Sequence, residues 1–477
     1  MDVGTSFCKA VVYDSTLREL AVSRRQVRTC YPRPGWAEQN PLEWWEDLAI
    51  CIKEALDAPG VSRGGVKGIG VCGQSRGMVL VDENLSPVAP FIPWLDTRAV
   101  EQARRIETVT GREVSPYSAA AKLLWIRENI EGALERTRFL LPCKDYIRAM
   151  LTGRIATDPS DAWATGLFDM SSRRWNRELL RLIGVDEALL PSLLEPWELA
   201  GSLSERSSHE IGLREGTPVV TGAGDALCTL IAFSEVLSEA RVGLYLGSSP
   251  GIFALSDLSR RARAANSWEL SGRRFTGVFL SAVGVGLDWL KTTARLPDYE
   301  ALDSEAEAAE RGSGGLLLLP RFSGERALAL RPQERASVLG LSVGHEIGHI
   351  ARATMEGAAL QLRHVVEELG IAGFVKEVVL SGGGSKSRIW RRILSNVLGV
   401  PNFLLDRTEA SAFGAASLAA VGSGAFGDLR ESLRASSVSL LDGVFPNPSD
   451  VKFYEHLYVF YRRANEMTST VFDSGWH

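Results

Sequence analysis

The chain has 477 residues, 45% of them hydrophobic and 23% charged. At about 100–200 residues per domain this length provides for two or more domains with their own cores, and the globular composition excludes a largely disordered or fibrous chain. Lys+Arg 53 against Asp+Glu 58 leaves a net charge of -5 with no long block of either sign, so the footprint of a nucleic-acid or anionic-membrane binder is absent and small molecules are the expected partners.

The apolar runs are far shorter than the ~20 residues a membrane span needs, and no apolar stretch follows a basic start as in a secretory signal. Six cysteines, Cys8, Cys30, Cys51, Cys72, Cys143 and Cys228, are scattered without a CxxC pair, which suits reduced, mostly buried thiols and a cytoplasmic protein.

Short β-branched runs at 10–13, 66–71, 219–221, 242–246 and 375–380 alternate with helical stretches, the pattern of an α/β protein. Several end in glycine with small hydroxyl residues: Gly4-Thr5-Ser6, Gly73-Gln74-Ser75, Gly222-Ala223-Gly224-Asp225, Gly247-Ser248-Ser249 and Gly382-Gly383-Gly384-Ser385. A strand, a Gly-Thr/Ser turn and a second apolar strand occur once on each side of a long central region. This hints at a duplicated nucleotide-binding unit and places the domain boundary at Asp225, giving domains 1–225 and 226–477.

The opening run Asp2-Val3-Gly4-Thr5-Ser6-Phe7-Cys8-Lys9 puts a carboxylate, a tight turn, two hydroxyls and a lysine in one hairpin, a turn able to aim backbone N–H groups at a phosphate. Asp225 follows two glycines at a strand end; it reads either as a general base or as the N-cap of a helix. No GxxxxGK[ST] occurs, so a P-loop is excluded. His345-Glu346-Ile347-Gly348-His349 matches the HExxH zinc pattern, but Gly348 weakens the helix that pattern needs, and the segment reads as a helix entrance. Asn40-Pro41 opens a helix, and Trp44 and Trp45 within it are expected to pack against neighbouring layers.

Taken in order, these segments resemble the FGGY family of carbohydrate kinases from Asp2 to about Tyr461. Besides the glycine turns, Gly35-Trp36-Ala37-Glu38-Gln39-Asn40-Pro41, Trp94-Leu95-Asp96-Thr97-Arg98, Cys143-Lys144-Asp145-Tyr146, Thr157-Asp158-Pro159-Ser160-Asp161-Ala162, Ser323-Gly324-Glu325-Arg326 and 409–416 are similar to family signatures. The resemblance implies two ribonuclease H-like α/β domains of the actin and hexokinase ATPase type with an interdomain cleft, acting on ATP, Mg²⁺ and a sugar. It assigns Asp2 to the Mg²⁺, and Gly4, Thr5, Ser6, Lys9, Gly247, Ser248 and Ser249 to the phosphates. Gly383, Gly384 and Ser385 would lie along the adenosine, and 409–416 would add adenosine contacts. Gln74, Ser75, Arg76 and Asp96 would face the sugar, and Asp225 would receive the hydroxyl proton.

The chain departs from the family pattern in four places. Only Met1 precedes Asp2, so the first strand is expected to be nearly missing. Ala226 stands where Asn or Gln often follows the catalytic aspartate. Ser75-Arg76 replaces the Met-His common after Gln74 in xylulose kinases, and Arg392 and Asn396 stand where Gln and Asp are common. Overall similarity points to a pentulose such as xylulose, then to a hexonate or polyol; the Arg-Glu pair expected of glycerol kinases is absent. The alternatives are an actin-like ATPase and a degenerate sugar sensor. The chain does not fix its oligomeric state, and a homodimer is an open expectation.

Overall fold

The computed structural model describes residues 1–256 and 265–474. The chain divides into two units, one formed by Met1–Ala232 with Ala410–Ser437 and the other by Phe233–Glu409 with Val438–His477.

The first unit is built on five strands: β1 (Asp2–Val3), β2 (Phe7–Tyr13), β3 (Glu19–Gln26), β4 (Cys72–Gly73) and β5 (Ala223–Gly224), in the order β5-β4-β1-β2-β3. The first three form an antiparallel meander, and β4 and β5 run parallel to β1. Gly4 N–H donates to Phe7 O at 3.0 Å and closes the β1–β2 hairpin expected from the opening run. Against this sheet lies the helix Pro41–Leu56, which Asn40 caps by accepting from Leu42 N at 3.1 Å, with Pro41 in the first turn. Both tryptophans of that helix are buried. Trp44 meets Phe91 edge-on at 4.8 Å, and Trp45 Nε1 donates to Glu210 at 2.7 Å, so each finds its own layer.

The run 66–71 forms less strand than its composition suggests. Only Cys72–Gly73 enters the ladder, with a single bridge from Ile69 to Val219. A Cβ on Gly70 would stand 2.1 Å from Ala415 O, so this stretch is pressed onto the helix Ala410–Gly422. That helix, late in sequence, packs with the first unit.

The second unit carries β6 (Arg241–Tyr245), β7 (Gly251–Ala254), β8 (Asn266–Leu270), β9 (Arg273–Phe279), β10 (Glu377–Ser381), β11 (Asn402–Leu405) and β12 (Leu440–Val444), ordered β8-β9-β7-β6-β10-β11-β12. Its inner five strands, β9-β7-β6-β10-β11, repeat the first unit's order and directions: three antiparallel, then two parallel. This ribonuclease H-like arrangement occurs in both units, and it makes visible the duplication that the two Gly-Thr/Ser turns suggested. Its core gathers sheet residues such as Val242, Leu244 and Leu380 against Leu360, Val365, Ile393 and Tyr461 from three long helices.

The histidine motif is an entrance to the helix Ile347–Glu368. Glu346 is the N-cap, His349 Nδ1 accepts from Glu346 N at 3.1 Å, and His345 lies before the helix with Nδ1 accepting from Ser342 N at 2.9 Å. Two histidines on one helical face, which zinc would require, are therefore not formed. Gly348 has a packing reason: a Cβ there would be 2.3 Å from Glu305 O. All six cysteines are free thiols, and all but Cys30 are buried. No helix among the described residues is long and apolar enough to cross a membrane.

Candidate active site

In the first unit, three parallel strands end at one level. The register pairs Asp2 with Cys72 and Cys72 with Ala223, then Val3 with Gly73 and Gly73 with Gly224. The next residues along the three strands are Gly4, Gln74 and Asp225, so segments beginning at residues 2, 72 and 223 deliver their turns side by side. Carboxyl ends of parallel strands are the usual binding edge of α/β sheets. Gly222 turns the chain into β5 with φ +74, and a Cβ there would stand 1.9 Å from Val71 O.

A buried hydrogen-bond network fixes the first two turns to each other. Thr5 Oγ1 accepts from Trp94 Nε1 at 2.7 Å and donates to Gln74 Oε1 at 3.3 Å. Gln74 Nε2 donates to Gln39 Oε1 at 2.7 Å, and Gln39 Nε2 returns to Thr5 O at 3.0 Å. Gln74 is 0% exposed, so its amide is engaged inside the protein and holds the turn. Asp96 is also 0% exposed: Oδ2 accepts from Ala37 N at 2.6 Å and from Arg98 Nε at 2.9 Å, and Oδ1 accepts from Arg98 N at 2.9 Å. Arg98 in turn meets Glu38 at 2.8 Å and lies over the Trp36 ring at 4.1 Å. Asp96 thus joins the Trp94 segment to the Trp36-Ala37-Glu38 segment.

Arg76 takes up φ 72, a left-handed conformation that L side chains avoid. Its carbonyl is held by the buried Lys122, whose Nζ donates to Arg76 O at 3.3 Å and to Pro93 O and Tyr117 O at 2.8 Å each. Burial pushes the Arg76 guanidinium down, and the charge of Asp225 pulls it back up. Half-buried Asp225 opens the helix Asp225–Phe233, and its Oδ1 accepts from Ala226 N at 2.8 Å. Ser75 Oγ donates to Asp161 Oδ1 at 2.6 Å.

Asp2 is 3% exposed. Its Oδ2 accepts from Ser411 Oγ at 2.7 Å and lies 3.8 Å from Lys9 Nζ, while its Oδ1 is buried without a hydrogen-bond partner. An orphaned carboxylate oxygen beside the Gly4-Thr5-Ser6 turn fits a hard cation that takes one or two protein carboxylates and completes its shell with water and other oxygen ligands.

In the second unit, Tyr245 of β6 pairs with Ser381 of β10, and the turns beyond them are joined by backbone bonds, Leu246 N to Ser381 O at 2.8 Å and Gly384 N to Leu246 O at 2.9 Å. This brings Gly247, Ser248 and Ser249 beside Gly383, Gly384 and Ser385. Ser248 O accepts from Gly284 N at 3.1 Å at the start of the helix Val283–Thr293, Ser249 Oγ donates to Leu280 O at 2.5 Å, and Ser385 Oγ donates to Gly382 O at 2.7 Å. Gly382 has φ +90, and space is open where a Cβ on Gly383 would stand. Adjacent glycine turns are the kind of backbone from which anion-binding concavities are built.

Gln39, Lys122 and Asp161 are members that sequence reasoning left without a role, while Trp94 lay in the segment expected to face the sugar and Ser411 in the 409–416 segment expected at the adenosine. Gln39, Trp94 and Asp161 lay within the quoted motifs, but their partners are far away in the chain; Lys122 carried no signal beyond a lysine in an apolar helix.

Two duplicated sheets, each presenting glycine turns from its parallel strand ends, define an α/β phosphotransferase or ATPase. Family models for the N-terminal and C-terminal domains of the FGGY family of carbohydrate kinases match residues 1–232 and 246–423. The chain is 30% identical to the xylulose kinase of Bacillus subtilis over 97% of its own length and 95% of that protein's, and 30% identical to the Escherichia coli xylulose kinase over 88% and 89%. The crystal structure of the xylulose kinase from Rhodospirillum rubrum superposes with a TM-score of 0.77 at 27% identity, covering 99% of both chains. The chain belongs to the FGGY family of carbohydrate kinases. It is a sugar kinase that uses ATP, which sets aside the actin-like alternative.

Proposed function

We propose that the chain transfers the γ-phosphoryl group of ATP to a hydroxyl of a pentulose, xylulose first, with Asp225 as general base. The observation that carries this reading is the register that sets Gly4, Gln74 and Asp225 at one level of three adjacent strands. In this reading the level holds a turn for phosphate, a segment for sugar and the carboxylate of Asp225.

In this reading the sugar hydroxyl oxygen attacks the γ-phosphorus, its proton passes to an Asp225 carboxylate oxygen, and the bond from the γ-phosphorus to the bridging oxygen breaks to release ADP. The first unit supplies the base, the sugar segment with Gln74, Ser75, Arg76 and Asp96, and the phosphate turn with Gly4, Thr5 and Ser6. Thr5, Gln74 and Asp96 act by holding that scaffold, since their polar atoms are engaged within it. Within the second unit taken by itself, Gly247, Ser248 and Ser249 would contact phosphate, and Gly383, Gly384 and Ser385 adenosine. Asp2 would hold Mg²⁺ through Oδ1, which has no hydrogen-bond partner, with Lys9 beside it; the cation would offset charge on the phosphates.

A sugar acid is the second reading, and Arg76 favours it: a half-buried guanidinium beside Asp225 could pair with a substrate carboxylate, a bond no neutral pentulose offers. We place the protein in the cytoplasm. An ADP-release assay over xylulose, other pentuloses, gluconate and polyols tests the reading; xylulose-dependent turnover is expected, and ADP release indifferent to every sugar would contradict it.

A further inference from the structure

Next to the Asp225 strand lies a closed ionic cluster to which the proposed chemistry gives no part. Lys144 Nζ is 2.6 Å from Asp145 Oδ1, 3.1 Å from Asp158 Oδ1 and 3.7 Å from Asp161 Oδ2, and Arg148 Nη2 is 3.3 Å from Asp145 Oδ1. All five side chains are closed to solvent. A buried ion cluster is weak evidence of stabilisation, because removing charges from water offsets most of their attraction, so its place in the fold calls for another reason.

One member reaches out of the cluster. Asp161 Oδ1 accepts from Ser75 Oγ at 2.6 Å, and Ser75 lies between Gln74 and the strained Arg76. The strand β5, which ends just before Asp225, is packed against this bond: a Cβ on Gly224 would stand 2.6 Å from Ser75 Oγ and 3.1 Å from Asp161 Oδ1. The residue before the base is thus packed onto the hydrogen bond that anchors the sugar segment. We propose that Asp161 is a positioning residue of phosphoryl transfer, setting the spacing between the Gln74-Ser75-Arg76 turn and Asp225 through its hydrogen bond to Ser75. The proposal rests on the reading of Asp225 as the base.

Charge balance gives this role a pH signature. The cluster sets three carboxyl groups, Asp145, Asp158 and Asp161, against two cations, Lys144 and Arg148, so one carboxyl keeps a proton. Asp161 is that group: burial pushes it up to about 8, Lys144 opposes, and Asp158 and Asp145 add to the rise. Of its other neighbours, the Cys143 thiol is pushed up by burial, with Cys8, Asp161, Asp225 and Asp2 adding to the rise. Ionisation of Asp161 therefore adds an unbalanced negative charge beside Gly224 and Ser75, and moves the turn relative to the base.

The test measures sugar and ATP kinetics of the full chain from about pH 6 to about pH 9, with D-xylulose or D-gluconate, whichever turns over, for wild type, Asp161→Asn, Asp161→Ala and Asp225→Asn. Wild-type kcat/KM for sugar is expected to fall as pH rises through about 8. Asp161→Asn keeps an uncharged hydrogen-bonding group facing Ser75, so it should stay within about 3-fold of wild type at neutral pH and lose the alkaline fall. Asp161→Ala should lower kcat/KM for sugar about 10–100-fold, the effect of a small misplacement, with the KM for ATP unmoved. An Asn variant that retains the wild-type alkaline fall, or an Ala variant with wild-type sugar kinetics, would overturn the proposal; if the Ala variant does not fold, the Asn pH profile decides alone. Should Asp225→Asn be inactive while both Asp161 variants behave as wild type, only the positioning role fails; a fully active Asp225→Asn would instead remove the base on which it rests.

Discussion

Ser411 Oγ donates a 2.7 Å hydrogen bond to Asp2 Oδ2 across 409 residues of chain. The bond forms because the helix Ala410–Gly422 packs in the unit begun by Asp2. It leaves Oδ1 as the buried carboxylate oxygen without a hydrogen-bond partner, the one assigned to a cation in the proposed function. Ser411→Ala removes the partner of a nearly buried carboxylate, which costs about 1–3 kcal/mol. A urea titration should show that loss, and an unshifted midpoint would mean the bond contributes nothing.

Catalysis should require a divalent cation. EDTA is expected to abolish turnover and Mg²⁺ to restore it, and Asp2→Asn, which weakens a hard oxygen ligand, should raise the Mg²⁺ concentration needed for half-maximal rate. A chelated enzyme that recovered with zinc alone would reopen the HExxH motif.

Asp96→Ala should act on both folding and sugar kinetics. The substitution takes from Arg98, whose side chain is 1% exposed, one of the two carboxylates it meets at 2.8 Å and leaves it Glu38, so the loss should fall below the about 3–5 kcal/mol of a fully broken buried pair. The thermal midpoint should drop, and sugar KM should rise or kcat fall with ATP binding nearly intact. Unchanged sugar kinetics at a temperature where the variant is folded would detach Asp96 from the sugar side.

Much of the site was legible in sequence because its backbone elements are local. Glycine turns with hydroxyl residues after β-branched runs announce themselves, and Gly4, Gly73, Gly224, Gly247 and Gly382 do lie at strand ends in the structure. The N-cap Asn40 and the helix entrance at Glu346 were equally readable, since a cap involves residues two or three apart. Side-chain partners were not. Trp94 with Thr5, Asp96 with Ala37, Ser75 with Asp161 and Ser411 with Asp2 are joined only by the sheet order and by the return of the helix Ala410–Gly422, which periodicity does not encode. The run 66–71 misleads for the same reason: Gly70 serves a helix contact that no local pattern reveals.

The Asp161 cluster also predicts how stability depends on pH. Folded Asp161 keeps its proton up to about 8, whereas in the unfolded chain an aspartate releases it near ~3.9. The folded state therefore binds more protons in between, so this contribution to stability is fully present below about 4 and is lost as pH rises through about 8. Asp161→Asn removes the titrating group, and its stability relative to wild type should rise from low pH to about pH 8 in chemical melts. A difference that stays constant across that window would show that Asp161 is ionised in the fold at neutral pH.

The most direct test of the account is kcat of Asp225→Asn with its best sugar. The variant keeps shape and removes charge, and a positioned base contributes roughly 10²–10⁴-fold, so kcat should fall by about that factor while the thermal midpoint barely moves. Asn caps a helix about as well as Asp, so a residue that merely opens the helix Asp225–Phe233 would leave both rate and midpoint near wild type. A purified, folded Asp225→Asn protein that phosphorylates its sugar at close to the wild-type rate would contradict the assignment of Asp225 as the base.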